Sequence, residues 1–246
     1  MIDVDFDFTT DSPRYWDGFW KRNNGLGKGG SDPDASSPTL KSYHQLLWSR
    51  ELPNGQKMEL EKGNSYNYLS WNDFRFGSDS IIATFRWRKN QNLIAQVFDK
   101  VGDYKTYYEN ILHASYTIGG MIIFPKHKAS INQNRGRNGL ISDRWDMTLE
   151  CIRRYYNDED SPLYQTLQSD KSFFDLFVDF QGYVDFFFLQ DCVSTDYSSV
   201  NKWCGSFDFV KRGIPETVDD YFEYINNELD FLKQRNQRIK DYIERT

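Results

Sequence analysis

The chain has 246 residues, of which 39% are hydrophobic, 17% aromatic and 27% charged, a balance that supports a real core and excludes a collagen-like, low-complexity or wholly disordered protein. Lys and Arg number 30 against 36 Asp and Glu, for a formal charge of -6, which argues against a surface that coats nucleic acid broadly. A local basic pocket is still compatible with that charge.

Residues 2–8 alternate strictly, with Ile2, Val4, Phe6 and Phe8 against Asp3, Asp5 and Asp7, and predict a half-buried strand. The aromatic segment Arg14–Trp20 reads as a short helix or turn, and residues 23–38, rich in Gly, Pro and Ser, as a loop with freedom to move. Ser37-Pro38 opens a helix to about residue 49, placing Leu40, Tyr43, His44 and Leu47 on one face. Pro53-Asn54-Gly55 is a turn, with a short strand over 57–61 after it. A strand over 67–70 is suggested, and 80–88 is ambiguous between strand and helix. Helices follow over 92–101 and 104–115.

Tyr116–Phe124 is apolar and β-branched and predicts a central strand, its Gly119-Gly120 pair marking a bulge or a close backbone approach. Residues 125–141 form a polar loop, and Ser142 caps a helix to about Tyr156. Within that helix Trp145, Leu149, Ile152 and Tyr156 make a core stripe, and Asp146, Glu150 and Arg154 a salt-bridge ladder on the solvated face. Pro162 opens a further helix, 172–193 holds one or two buried helices, and a long helix runs from a capping-box-like Thr217/Asp220 to about Glu244. Together these elements predict an α+β fold: residues 1–246 as a single, mostly helical domain around a small β-sheet.

No apolar stretch approaches the about 18 residues of a spanning helix, so no membrane partner is expected. The opening Met1–Phe8 lacks the regions of a signal peptide, and Cys151, Cys192 and Cys204, without a CxxC spacing, suggest reduced thiols and a cytoplasmic location. His44, His113 and His127 lack zinc-ligand spacing, so no metal site is assigned, and no cofactor follows from the sequence.

The segment 126–144 carries Lys126, Lys128, Arg135, Arg137 and Arg144 against Asp143 alone. It leaves a buried strand and enters a helix, and guanidinium groups, amides and a helix N-terminus are the parts of an anion site. No GxxxxGK[ST] is present, which argues against a standard P-loop nucleotide fold. Asp185 lies in the nearly continuous apolar run 183–189 and must be paired there, by Arg144, Arg153, Arg75 or several hydrogen-bond donors. Weaker features are the three acids Asp3, Asp5 and Asp7, and the aromatics Trp16, Phe19 and Trp20.

Three blocks of sequence occur together: Ser31–Pro38 with Tyr43-His44, Leu47-Trp48-Ser49 and Leu52–Gly55; Ile131–Gly136 with Asp143–Tyr156; and Asp179–Asp191. In these the chain resembles a bacterial family of unknown function. The resemblance spans most of the chain and implies one domain and a bacterial, cytoplasmic source, but no activity.

Three readings follow. The first is a binding module for a phosphorylated small molecule, a nucleotide or a nucleic-acid end, with Asn132, Gln133, Arg135, Asp143, Arg144 and Asp185 as ligand-binding residues. The second is a metal-dependent hydrolase or nuclease using Asp143, Asp146 or Asp185. The third is a protein–protein adaptor working through an aromatic surface.

Overall fold

The computed structural model describes residues 1–16, 31–63, 68–81, 91–127, 130–137, 139–205, 207, 209 and 215–246. Phe19, Trp20, Lys128, residues 23–30 and nearly all of 80–88 lie outside them. Four strands, β1 (Glu61–Lys62), β2 (Leu69–Trp71), β3 (Phe74–Ser80) and β4 (Met121–Pro125), form an antiparallel sheet in chain order. Trp71 pairs with Phe74 across a tight turn in which Asn72 takes φ 49°, a left-handed value that Asn tolerates. Phe76 faces Leu69 on one side and Pro125 on the other, and Ser80 faces Met121.

Helices cover this sheet: α1 (Pro33–Ser36), α2 (Pro38–Trp48), α3 (Gln91–Val101), α4 (Tyr104–Ser115), α5 (Trp145–Tyr156), α6 (Tyr164–Ser169), α7 (Lys171–Phe174), α8 (Phe180–Phe186) and α9 (Val218–Arg245). The architecture is α+β, with a small antiparallel sheet among many helices. No described helix is long and apolar enough to cross a membrane.

Caps explain several helix starts. Ser37 accepts from the Leu40 amide ahead of Pro38, and Thr217 and Asp220 form a reciprocal capping box ahead of α9. On α2, Leu40, His44, Leu47 and Trp48 are buried, with Tyr43 half-buried. Trp145, Leu149 and Ile152 are fully buried on α5, which packs against α6 and α8, and Tyr156 closes the stripe by donating to the Phe174 carbonyl at 2.7 Å. An aromatic cluster fills the adjoining core: the Phe177 ring lies 5.2 Å from Tyr183 and 5.3 Å from Phe187.

Several expectations are corrected. Residues 2–8 are a chain of turns, because Asp3 accepts from the Asp5 amide and Asp7 from the Thr9 amide, capturing N–H groups that a ladder would use. Val4 and Phe8 are nonetheless buried. In 57–61 only Lys57 pairs, with Glu51, before β1 begins at Glu61. The strand expected over 67–70 lies at Leu69–Trp71, and β3 was not foreseen.

The strand over 116–124 is shorter than expected and lies at the sheet edge: β4 starts at Met121, after a tight 3₁₀ turn at Ile118–Gly120. Its glycines do mark a close approach. A methyl group on Gly120 would lie 1.8 Å from the Ser115 carbonyl oxygen, and one on Gly119 2.5 Å from Asn236 Oδ1. The loop 125–141 contains a helical turn that widens to π geometry at Gln133–Arg137. Arg144, not Ser142, is the N-cap of α5, and the helix after Pro162 starts at Tyr164. Residues 172–193 break into α7, α8 and two 3₁₀ turns.

Leu149→Ala is expected to lower stability by roughly 2–5 kcal/mol, the range for a large-to-small change in a packed core, and a urea midpoint measures it. His44 gives a pH signature. Burial, with Arg235 nearby, pushes its imidazole down to about 3. The unfolded imidazole binds a proton near about pH 6.5 while the folded one does not, so stability present above that pH is lost as pH falls towards about 3. A His44→Asn variant should show a flatter midpoint-versus-pH curve across that window.

Candidate functional site

The turn 131–137 follows β4 and carries Arg135 back across the sheet. Arg135 is fully buried. Its Nη1 donates to Asp79 Oδ2 at 2.9 Å and to the Ser80 carbonyl at 3.2 Å, its Nε lies 3.2 Å from Asp143 Oδ1, and its guanidinium sits over the Trp145 ring. Burial pulls the Arg135 pKa down, but Asp79 and Asp143 more than offset it. Burial pushes Asp79 up to about 6 against the pull of Arg135. Asp34 on α1 is raised well above the carboxylate range by burial and by Asp32, Asp79 and Asp143. The surroundings of Arg135 are therefore acidic.

Of the residues expected in this pocket, Arg135 and Asp143 come together. Asn132 and Gln133 are half-buried on the same turn, and Asn132 Oδ1 accepts from Ser130. Arg144 belongs to a different network: it binds both oxygens of Asp146 and donates to the Cys204 carbonyl at 3.0 Å, while Asp146 Oδ2 also accepts from the Trp203 amide at 2.9 Å. The Glu150–Arg154 step of the expected ladder along α5 forms at 2.7 Å, while its Asp146 end and its solvated setting are corrected. Asp146 and Glu150 are buried rather than solvated; Asp146 turns back to Arg144, and Glu150 binds Arg153 and Arg154. The local basic excess is balanced by acids from elsewhere in the chain, Asp79 above all, which counting charges along 126–144 does not reveal.

Asp185 is half-buried on α8. Several hydrogen-bond donors hold it, none of them an arginine: Gln190 Nε2 and Tyr197 Oη each donate to Oδ1 at 2.8 Å, and Gln181 Nε2 reaches Oδ2 at 3.5 Å. The other proposed partners are used elsewhere, Arg75 on the Asn72 and Phe74 carbonyls and Arg153 on Glu150 and Glu159.

Asp185 lines a shallow, solvent-open pocket of about 440 Å³ with Arg50, Glu51, Leu52, Pro53, Phe186 and Tyr242. One wall is the turn that reverses the chain after Leu52, where Leu52 donates to Gln56 at 2.8 Å and Met58 to Arg50 at 3.0 Å. Gly55 takes φ 81° there, a value suited to glycine. The other walls are α8 and the end of α9. The Arg50 guanidinium lies 4.3 Å from the Phe188 ring centroid, 4.4 Å from Phe186, 4.8 Å from Tyr242 and 5.5 Å from Trp48. One Nη donates to the Phe186 carbonyl, while the buried Nε has no hydrogen-bond partner among the described residues. Sequence reasoning missed Arg50. The signal was an arginine two residues after Trp48, in a chain whose 186–188 run is three phenylalanines.

The acids Asp143, Asp146 and Asp185 have separate partner sets, and among the described residues no group of three or more His, Cys, Asp or Glu side chains is arranged to hold a metal ion. Asp7 is engaged by His113, and Trp16 stacks on that imidazole while donating to Thr9. The large apolar side chains exposed among the described residues are Met1, Leu46, Leu140 and Val178, none of them aromatic. All three cysteines are free and buried, and burial pushes the Cys151 thiol up to about 12.

The Arg135 network yields a stability test. Arg135→Met strips the counter-charge from Asp79 and Asp143 and is expected to cost about 3–5 kcal/mol at neutral pH, as breaking a buried pair does. A carboxylate whose folded pKa is raised is most favourable at low pH, and its contribution falls as pH rises from about 3.9 through about 6. The loss on mutation should therefore be smaller in acid. Denaturation midpoints of both proteins across that range measure it.

No curated protein and no solved structure matches the sequence significantly. A family model does match, over residues 2–239, and by it the chain belongs to DUF6994, a family of unknown function.

Proposed function

We propose that the chain is a binding module that holds a small molecule by an oxyanion, phosphate or carboxylate, on Arg50. A phosphorylated small molecule or a nucleotide falls within this class. The observation that carries the reading is that Arg50, on the wall of an open 440 Å³ pocket, meets rings, the Phe186 carbonyl and Tyr242 but no carboxylate among the described residues. That volume lies within the range of about 300–1,000 Å³ usual for small-molecule sites. A guanidinium that no protein carboxylate neutralises attracts an oxyanion, which it can hold with a charge-assisted bond. The ring faces around Arg50 leave its in-plane donors to oxygens, of which the Phe186 carbonyl and the Tyr242 hydroxyl supply two.

Arg135 and Arg144 fit the role less well, since each is buried against carboxylates of its own. Arg50 is placed otherwise: its nearest neighbours are rings, a carbonyl and the Tyr242 hydroxyl, which shares a hydrogen bond with it.

Thermal-shift titration of the full chain with inorganic phosphate and nucleoside monophosphates tests the proposal. A ligand at a hundredfold excess over Kd should add about 2.7 kcal/mol of apparent stability. Arg50→Met should abolish the saturable shift, and Arg50→Lys, which keeps the charge but not the fork, should weaken it. Saturable binding that survives Arg50→Met would overturn the assignment.

A further inference from the structure

We infer that the ligand of the Arg50 cavity is amphoteric, a zwitterion of amino-acid to dipeptide size whose protonated amine pairs with Asp185 and Glu51 while its carboxylate sits on Arg50. The inference rests on the reading of Arg50 as the oxyanion seat and adds the other end of the ligand.

Charge carries the first part of the argument. The cavity is lined by one cation, Arg50, and two carboxylates, Asp185 and Glu51. A ligand bearing only negative charge meets Arg50 but is repelled by both acids, whereas one with a separate ammonium group satisfies all three.

The state of Asp185 carries the second. Its donors among the described residues, Gln190, Tyr197 and Gln181, are all neutral, and the one nearby cation that acts on it, Arg238, is hydrogen-bonded to Asp191 instead. Two of the neutral donors bind Oδ1 at 2.8 Å, while among the described residues Oδ2 has only the long 3.5 Å contact to Gln181, which leaves it acceptor capacity for an ammonium N–H. Glu51 stands beside Arg50 in the chain and its residue is exposed, which suits the mouth of the site.

Shape carries the third. Leu52, Pro53 and Phe186 supply an apolar wall between the charged ends. A zwitterion with an aliphatic side chain fits there, its charged backbone spanning Arg50 to the two acids.

Isothermal titration of the full chain with a panel of free amino acids and the dipeptide leucyl-glycine, each beside its N-acetylated form, tests the inference. At least one zwitterion should bind about tenfold or more tightly than its acetylated form, the scale of one charge-assisted contact. Asp185→Asn should shrink that preference from both sides, weakening the zwitterion and tightening the acetylated anion by removing its repulsion. Glu51→Gln, at an exposed position that does not endanger folding, should shrink it too. Equal affinity for free and acetylated forms, or no binding by any zwitterion, would overturn the inference. Arg50-dependent binding of inorganic phosphate or of an acetylated form would then leave the oxyanion seat standing, and its absence would remove both.

Discussion

Arg235 on α9 is the contact on which the arrangement of sheet and helices depends. It is fully buried, and among the described residues no carboxylate bonds to it. Its Nε donates to the Phe187 carbonyl at 3.0 Å, and its Nη1 to the Gly119 and Met121 carbonyls at 2.7 and 3.0 Å. One side chain thus joins the C-terminal helix, the end of α8 and the entry to β4. Burial lowers its pKa to about 9, so it stays charged at neutral pH, and carbonyl dipoles hold that charge. A carbonyl at the end of a helix and another at the edge of a sheet both lack regular partners. Arg235 supplies donors to both, which lets β4 be a fully buried edge strand.

The same constraint explains the two glycines. Asn236, next to Arg235, accepts from the Gly119 amide at 2.6 Å and donates to Thr117 Oγ1 at 2.9 Å. For both side chains to reach the 117–121 backbone, α9 must come close, and a Cβ on Gly119 would meet the Leu232 carbonyl at 2.8 Å. Their closeness to α9 is a tertiary fact. From the sequence, Gly119-Gly120 within a β-branched run signalled that something approaches, but not what.

That marks the boundary of what was legible. Features encoded within one turn or one helix face were readable: the Ser37-Pro38 start, the Thr217/Asp220 box, the Trp145–Leu149–Ile152 stripe and the turn at Pro53–Gly55. Features decided by a partner distant in the chain were not. The alternation of residues 2–8 does send Val4 and Phe8 inward, yet Asp3 and Asp7 take the local amides and no ladder forms. On α5 the spacing of Asp146, Glu150 and Arg154 fits a solvated face, but the helix is buried on all sides from Trp145 to Ile152. Among the candidate site residues, the need of Asp185 for donors was legible, whereas its neighbour across the cavity, Arg50, lies 135 positions away and could not be placed beside it.

How the arginines are held separates structural cations from one suited to a ligand. Arg135 and Arg144 are neutralised by carboxylates, and Arg235 is held by carbonyls, although Arg135 and Arg235 also keep buried nitrogens without a hydrogen-bond partner among the described residues. Arg50 is surrounded mainly by ring faces. A ring attracts the cation through its quadrupole but is a poor substitute for an oxygen at an N–H. Such a cage offsets part of the cost of burying the charge and leaves hydrogen-bonding capacity unspent. A carboxylate partner would have done the opposite, neutralising the charge and closing the site to an anion. In a chain with more acids than bases, keeping one buried guanidinium away from direct carboxylate contact while an acid stands across a cavity from it is the arrangement that leaves room for a third, charged participant.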